Sequence, residues 1–332
     1  MVKTAVISGV TGQDGSYLSE NLLDKGYNVI GLYRRSSSDN CSRLHSVIQH
    51  PNFLLKEFDL TDPSDCVSII SQYKPNEFYN LAAQSHVGTS FSQPTTTFEI
   101  DTIGVINLLE SIRKFSPAIR FYQASTSEMF GENYSTNKKG KYQDETTPLL
   151  PQSPYGVAKM ASHRMVQIYR SAYKIFSCSG ILFNHESPRR GENFVTRKIT
   201  KYIARLVNNK IDGDTKLGLG NLEAQRDWGH AKDYVEAMRL MLQNREPKDY
   251  VISTGHTRTV REFCDIAFKL VNLNYEDHIY IDPQFYRPAE VDYLKGDSSL
   301  AKEELGWTPV IDFESLVKDM VYSDIEKETY NA

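Results

Sequence analysis

A tyrosine and a lysine four residues apart are the residues of this sequence with the clearest chemical use. Tyr155 and Lys159 stand in the run Tyr-Gly-Val-Ala-Lys, and residues four apart on a helix lie on the same face. An ammonium group beside a phenol favours the phenolate, so the spacing predicts a tyrosine whose pKa is lowered toward neutrality. A phenolate is a base for a hydroxyl proton, and the pair therefore predicts redox chemistry on an alcohol.

Thr126 and Glu128 add a hydroxyl and a carboxylate upstream, in the run Ser-Thr-Ser-Glu. The run follows a predicted strand, where α/β proteins commonly carry catalytic groups. Each feature alone has a structural alternative. Tyr155 and Lys159 could be an exposed tyrosine beside a lysine that packs along the helix, and Glu128 could be a carboxylate at a helix start. Together the four residues favour a catalytic set.

Alternating strands and helices are expected to hold these groups. Short apolar runs alternate with amphipathic runs in the first half of the chain, which predicts an α/β fold with a doubly wound parallel sheet of the Rossmann type. Strands are predicted at 4–8, 29–33, 53–58, 78–82, 121–124, 176–183 and 249–254. Helices are predicted at 17–25, 64–73, 103–114 and 155–172, and later at 196–208, 232–242, 260–270 and 314–327.

Two domains follow from this pattern. Residues 1–183, with a later returning segment near 231–255, are predicted to form the dinucleotide-binding domain. Residues 184–230 and 256–332 are predicted to form a smaller, mixed α/β substrate lobe at the carboxyl edge of the sheet. A chain of 332 residues is long enough to bury a core in each.

The composition argues against several classes of protein. The net charge is −4, and the sequence has no long basic stripe with interleaved aromatics, so a nucleic-acid partner is not expected. The apolar run at the start is too short for a signal peptide or a membrane span. Four widely separated cysteines without a Cys-x-x-Cys pair predict neither disulfides nor a metal site. A cytoplasmic protein is expected.

A glycine-rich run marks the predicted cofactor site. It follows the first predicted strand and opens the first helix, where glycines let a pyrophosphate approach backbone N–H groups. A turn that binds no ligand is the alternative, since glycine patterns alone are weak evidence. The position in the strand–helix unit favours dinucleotide binding. The predicted contacts are Gly9, Thr11, Gly12, Gln13, Asp14 and Gly15.

The end of the second predicted strand indicates which dinucleotide binds. NAD-binding sheets usually offer a carboxylate there for the ribose, whereas this chain has Arg34, Arg35 and Ser36. Guanidinium groups and hydroxyls suit a 2′-phosphate, so NADP is predicted. The alternative is a solvated loop. Asp59 and Leu60, after the third strand, are expected to flank the adenine.

These runs and others make the chain resemble a known family. It resembles the extended short-chain dehydrogenase/reductases that act on nucleotide-linked sugars and, within them, the GDP-mannose 4,6-dehydratases. The resemblance covers nearly the whole length. It is carried by TGQDGSY at 11–17, RRSSS at 34–38, LAAQSHV at 81–87, ASTSE at 124–128, FNHESPRRG at 183–191, FVTRK at 194–198, RDWGHAKDY at 226–234 and RPAEVD at 287–292.

The resemblance implies an internal redox reaction on a GDP-sugar. Tyr155 would take the C4 hydroxyl proton as hydride leaves C4, and Lys159 would lower the tyrosine pKa and bond the nicotinamide ribose. Glu128 would remove the C5 proton and protonate the departing C6 hydroxyl, while Thr126 holds the C4 oxygen. The hydride then returns to C6, so NADP is regenerated. Glu128 distinguishes this lyase from an epimerase.

The resemblance also implies binding residues and an assembly. It assigns Leu81, Ala82, Ala83, Gln84, Ser85, His185 and Arg190 to the cofactor, and Ser85, Asn184, Thr196, Lys198, Arg226, Arg287 and Glu290 to the nucleotide sugar. Arg226 could instead form a structural ion pair with Asp227. Glu290 could orient Arg287 or face solvent. A homo-oligomer, dimer or tetramer, is implied, in which the loop at 34–38 reaches a neighbouring subunit.

The identity of the sugar stays open in the sequence. The stretch 132–152 is longer and more polar than is usual in the family, which leaves GDP-mannose and a bulkier sugar such as a GDP-manno-heptose as alternatives. A GDP-sugar epimerase and a catalytically silent dinucleotide-binding module are further alternatives. The intact set of Thr126, Glu128, Tyr155 and Lys159 argues against the silent module.

Overall fold

A parallel sheet forms the centre of the computed structural model, which describes residues 2–37, 40–138, 140–285 and 291–330. Within these ranges the sheet has seven strands. In spatial order they are Tyr250–Ile252, Ser177–Leu182, Arg120–Thr126, Glu77–Asn80, Thr4–Ser8, Asn28–Tyr33 and Phe53–Glu57. Every neighbouring pair runs parallel. The predicted doubly wound, Rossmann-type sheet is confirmed, with strand ends that shift by a few residues.

Helices cover both faces of this sheet. They are Gln13–Asp24, Pro63–Tyr73, Gly104–Phe115, Pro154–Tyr173 and Ala231–Gln243. Successive residues of a strand point to opposite faces. Accordingly, Phe78 packs into a cluster with the helices on one side, and Tyr79 packs into a cluster on the other. Burial on both faces explains why these strands read as nearly continuous apolar runs in the sequence.

A capping side chain and a proline mark where two of these helices begin. Asp62 accepts a hydrogen bond from the Ser64 amide, and Pro63 occupies the first position of its helix. The helix Pro154–Tyr173 begins in the same way, because Ser153 Oγ accepts from the Gly156 amide at 3.0 Å. Such caps satisfy backbone donors that have no partner inside the helix.

The second part of the chain has its own hydrophobic cluster. The helices Val195–Val207, Val260–Lys269 and Phe313–Tyr330 pack together there. Short strand pairs border it: His185–Glu186 with Gly229–His230, Gln225–Asp227 with Thr257–Thr259, and Leu217–Leu219 with Ile279–Ile281. The shorter helices are Val87–Ser92, Pro94–Phe98, Tyr275–His278 and Ser299–Leu305, and Glu99–Ile103 forms a π-helical turn. Across the described ranges, no helix combines the length and apolarity that a membrane crossing requires.

The polar stretch 132–152 forms a hairpin. Ser135–Asn137 pairs antiparallel with Gly140–Tyr142. The Tyr134 hydroxyl donates to the Tyr293 carbonyl oxygen at 2.9 Å, and the Gln143 amide donates to the Lys295 carbonyl oxygen at 2.9 Å. The hairpin therefore joins the loop after the fifth strand of the chain to the segment that follows residue 290.

Candidate active site

One large cavity opens where the strands end, and the four predicted catalytic residues line it. Its volume is about 1140 Å³. Thr126 is the last residue of its strand, and Glu128 lies in the 3₁₀ turn Ser127–Met129 that follows. Tyr155 and Lys159 occupy the first turns of the helix Pro154–Tyr173. Strand, turn and helix thus bring a hydroxyl, a carboxylate, a phenol and an ammonium group to one wall.

A glycine lets the helix approach the turn that carries Glu128. A Cβ atom built at Gly156 would lie 2.9 Å from the Glu128 carbonyl oxygen and 2.8 Å from Pro151 Cβ. Thr126 fixes the turn from the other side, because its Oγ1 accepts a hydrogen bond from the Glu128 amide at 3.3 Å. Thr126 also acts on the Tyr155 phenol, whose pKa it lowers against the effect of burial. Gly156 and Thr126 therefore position the turn that carries Glu128.

Burial, more than the neighbouring lysine, governs the ionisation of Tyr155. Tyr155 is 7% exposed and Lys159 is 3% exposed. Burial raises the pKa of Tyr155, and the charges of Asp101 and Glu128 raise it further, against smaller opposing effects of Thr126 and Arg190. Burial also lowers the pKa of Lys159, which Asp101 partly offsets.

The prediction that Lys159 lowers the pKa of Tyr155 toward neutrality is therefore wrong for the protein chain alone. Lys159 Nζ donates to the Ala124 carbonyl oxygen at 2.7 Å and lies 5.9 Å from the centre of the Tyr155 ring. At that distance, the attraction between ammonium and phenolate does not repay the loss of water around a buried phenolate.

The glycine-rich run forms a cradle at the start of the first helix. Gly9 has φ +69°, and a Cβ there would lie 2.8 Å from the Ala82 amide nitrogen. A Cβ at Gly15 would lie 2.5 Å from the Gly9 carbonyl oxygen. At Gly12 the one atom met within 4 Å is the Gly9 oxygen, at 3.2 Å, so a side chain there would project into the cavity. This cradle fits a pyrophosphate at a helix N-terminus.

Asp14 and His185 form an ion pair beside this cradle. His185 Nε2 lies 2.8 Å from Asp14 Oδ2, and His185 Nδ1 donates to the Phe183 carbonyl oxygen at 2.7 Å. Burial lowers the pKa of His185, but the charge of Asp14 and its hydrogen bond raise it more, so the pKa lies above its usual range. The pKa of Asp14 falls for the reciprocal reason, although burial opposes the shift. Both ring nitrogens of His185 are thus engaged inside the protein.

Glu186 contacts two side chains of the cavity wall, those of Thr196 and Arg190. It was not identified as a site residue from the sequence. Thr196 Oγ1 donates to Glu186 Oε2 at 2.5 Å, and Arg190 Nε lies 3.3 Å from the same oxygen. The Arg190 guanidinium also lies 3.7 Å from the centre of the Phe194 ring. Thr196 lines the cavity, but its hydroxyl hydrogen goes to Glu186. The position of Glu186 next to His185 was the one signal that could have found it.

The residues predicted to hold the nucleotide sugar form the far wall. Ser85, Asn184, Lys198 and Arg226 line the cavity. Asn184 Oδ1 is buried and has no hydrogen-bond partner among the described residues. Arg287 and Glu290 lie outside the described residues.

The neighbour of Arg226 has a structural use of its own. Asp227 accepts hydrogen bonds from the amides of Thr254 at 2.7 Å, Gly255 at 2.9 Å and Gly296 at 3.2 Å. Its carboxylate therefore joins its own strand to two other backbone segments, one at 254–255 and one at 296.

Most of the other predicted cofactor residues line the same cavity. They are Thr11, Gln13, Arg34, Ser36, Asp59, Leu60, Leu81, Ala82, Ala83 and Gln84. Arg35 is exposed and is not among the residues that line the cavity, and its assignment to the cofactor stays a prediction. Arg43 was missed: its side chain donates to the carbonyl oxygens of Arg189 at 2.7 Å and Thr11 at 3.3 Å, and so links the two cofactor loops.

The hairpin at 132–152 does not reach the site. Its described residues are absent from the cavity lining, because the hairpin packs outward against residues 293–297. Of the stretch 132–152, the residues that the structure describes therefore do not line this cavity.

Comparisons with known proteins agree with this site. The family model for GDP-mannose 4,6 dehydratase matches residues 6–320. GDP-mannose 4,6 dehydratase 1 of Arabidopsis thaliana is 51% identical over 98% of this chain and 90% of its own length. GDP-mannose 4,6 dehydratase of Drosophila melanogaster is 47% identical over 98% of this chain and 86% of its own length.

A solved structure shares the fold at lower identity. The dTDP-glucose 4,6-dehydratase of Streptomyces venezuelae, solved with NAD bound, has a TM-score of 0.85, 22% identity and coverage of 98% of each chain. At this identity the likeness concerns the fold alone.

Proposed function

The chain belongs to the GDP-mannose 4,6-dehydratase family, and on that basis we propose that it is a lyase that converts GDP-mannose to GDP-4-keto-6-deoxymannose. The observation that carries the proposal is the presence of Thr126, Glu128, Tyr155 and Lys159 on one wall of a single cavity. The glycine cradle and Asn184 line the same cavity. One space therefore serves cofactor, sugar and catalytic groups.

Tyr155 is proposed to take the proton of the C4 hydroxyl. Thr126 and Arg190 both lower the pKa of its phenol against the effect of burial. A further positive charge beside the Tyr155 ring would also lower the pKa of the phenol. A nicotinamide cofactor held by the glycine cradle would supply the hydride chemistry at C4 and C6. Lys159 then serves as a fixed cation that bonds the nicotinamide ribose.

Glu128 is proposed to carry out the elimination. A ketone at C4 acidifies the C5 hydrogen, so a carboxylate at this position can remove that proton and pass a proton to the departing C6 hydroxyl. The C5–H and C6–O bonds break, a C5=C6 double bond forms and water leaves. Hydride delivered to C6 and a proton returned to C5 then saturate that double bond. An epimerase has no such step, which is why the position of Glu128 beside Tyr155 favours a dehydratase.

NADP is proposed as the cofactor in preference to NAD. Arg34 and Ser36 line the cavity at the end of the second strand, and a guanidinium there suits a 2′-phosphate. A homo-oligomer is proposed from the family resemblance. The heptose alternative has less support, since the unusual hairpin lies away from the cavity.

An assay of product mass tests the proposal. Purified protein is incubated with NADP and GDP-mannose or a GDP-manno-heptose, and product mass and the absorbance of reduced cofactor are followed together. Loss of one water without accumulated NADPH is expected with GDP-mannose. A product of unchanged mass would indicate an epimerase, and inertness toward both sugars would indicate a binding module.

A further inference from the structure

A buried carboxylate outside the predicted catalytic set lies against the catalytic helix. Asp101 is 1% exposed and belongs to the π-helical turn Glu99–Ile103. The next residue, Thr102, donates its hydroxyl hydrogen to the Ala158 carbonyl oxygen at 2.9 Å. Ala158 lies between Tyr155 and Lys159 in sequence, so this hydrogen bond fixes the turn against the part of the helix that carries both side chains.

The two oxygens of Asp101 have different environments. Oδ1 accepts a hydrogen bond from the Gln84 amide at 2.8 Å, and Gln84 lines the cavity. Oδ2 is buried and has no hydrogen-bond partner among the described residues. A buried carboxylate oxygen without a donor is costly, so its retention requires an explanation.

The charged and titratable groups near Asp101 supply that explanation. The charge of Asp101 raises the pKa of Lys159 against the effect of burial, and it also raises the pKa of Tyr155. Glu128 acts on Tyr155 in the same direction, and Arg190 opposes both. The charge of Lys159 in turn lowers the pKa of Asp101. Burial has the larger, opposite effect, and the pKa of Asp101 is raised to about 6.

The other titratable group on the inner face of the helix is engaged elsewhere. His163 Nδ1 lies 3.1 Å from Ser125 Oγ, and His163 Nε2 lies 3.8 Å from a carboxylate oxygen of Asp249. Arg170 and Arg164 are the cations that act on it. Asp101 is therefore the carboxylate whose charge acts on Lys159.

We propose that Asp101 is a positioning residue of the active site, whose buried negative charge keeps Lys159 in the ammonium form beside Tyr155. The reason is physical: burial favours a neutral amine, and a neutral amine gives no support to a phenolate. Asp101 thereby sets the pH range in which Lys159 is protonated and Tyr155 can act as a base. The inference rests on the proposed function only for the role of Tyr155 as the base.

The variant Asp101→Asn tests this charge. Asparagine keeps the size and an acceptor for the Gln84 amide but removes the negative charge. Removing a negative charge lowers the pKa of both neighbours, so both limbs of the pH–rate profile should move to lower pH, by about one unit. Glu99→Gln, the same change at an exposed carboxylate of the same turn, should leave the profile in place.

A folded Asp101→Asn protein whose profile has unshifted limbs would overturn the proposal. This includes a uniform loss of rate, which would mean a structural role alone. Circular dichroism and the Kd for NADP+ establish that the variant is folded and binds cofactor.

A measurement on the unmodified protein needs neither activity nor a stable variant. The Cε resonance of Lys159 is followed by NMR in ¹³C-lysine-labelled protein, with Lys159→Met used for assignment. We expect an inflection near pH 6, where Asp101 titrates, in addition to that of the lysine itself. A resonance that does not change near that pH would overturn the inference. Since no substrate is present, this result is independent of whether the protein dehydrates GDP-mannose.

Discussion

His185 Nε2 and Asp14 Oδ2 lie 2.8 Å apart, although the two residues belong to different halves of the chain. Asp14 is in the first turn of the helix Gln13–Asp24, and His185 begins the short strand that follows Ser177–Leu182. Gln13 strengthens the link, because its side-chain amide donates to the His185 carbonyl oxygen at 3.1 Å. The ion pair therefore fixes the cofactor cradle to the wall that continues into the second lobe.

Stability should depend on pH through this ion pair. The pKa of folded His185 lies above 6.5, so its contribution is full below pH 6.5 and is lost as pH rises through the folded value. The pKa of folded Asp14 lies below 3.8, so its contribution is full above pH 3.8 and is lost as pH falls. His185→Gln should lower the free energy of unfolding by about 1–3 kcal/mol between these limits, and by less at alkaline pH.

Urea unfolding at pH 6 and pH 9 measures the difference. His45→Gln, at an exposed histidine, is the matched control and should change little at either pH. A loss of stability in His185→Gln that is the same at both pH values would contradict the ion pair.

Glu128→Gln should block loss of water while the fold and cofactor binding persist. The amide keeps the size of the side chain but cannot act as a base at C5, so turnover should fall about 10²–10⁴-fold. Oxidation at C4 does not use Glu128, and reduced cofactor should therefore accumulate and be visible by absorbance. Glu132→Gln, at an exposed carboxylate outside the cavity, should retain full activity. Normal dehydration by Glu128→Gln would show that another residue is the base.

Gly156→Ala should impair catalysis more than stability. Alanine is the better helix former by about 1 kcal/mol, but its Cβ would lie 2.9 Å from the Glu128 carbonyl oxygen. The turn that carries Glu128 must move, and a small displacement of a catalytic group should lower kcat by about tenfold or more. Gly213→Ala is the control, because a Cβ there meets no described atom within 4 Å. Unchanged kcat in Gly156→Ala would mean that the approach of helix and turn has no catalytic importance.

Arg34→Ala should weaken binding of NADP+ and leave binding of NAD+ nearly unchanged. The lost guanidinium contact to a 2′-phosphate predicts a Kd for NADP+ about tenfold higher or more, measurable by fluorescence titration. Arg35→Ala should have a smaller effect, since Arg35 lies outside the cavity. Equal losses for NADP+ and NAD+ in Arg34→Ala would show that the arginine does not recognise the extra phosphate.

Much of the fold could be predicted because its signals are local. Pro63 after a capping aspartate marks the start of one helix. Apolar runs predicted the strands of the sheet to within a few residues. The helix Pro154–Tyr173 followed from the periodicity of its apolar face. By contrast, the hairpin Ser135–Asn137 with Gly140–Tyr142 was not predicted, because its short polar strands depend on contacts with residues 293–295.

The sequence by itself determined which side chains were expected to meet at this site, since the types and spacing of Thr126, Glu128, Tyr155 and Lys159 are local properties. It also determined where the glycine cradle and Arg34 lie relative to the strands. Only the tertiary structure decided which charges act on those groups. Burial and Asp101 set the ionisation of Tyr155 and Lys159, and Asp14 engages His185. These relationships join residues distant in sequence, and electrostatic effects depend on distance and solvent access.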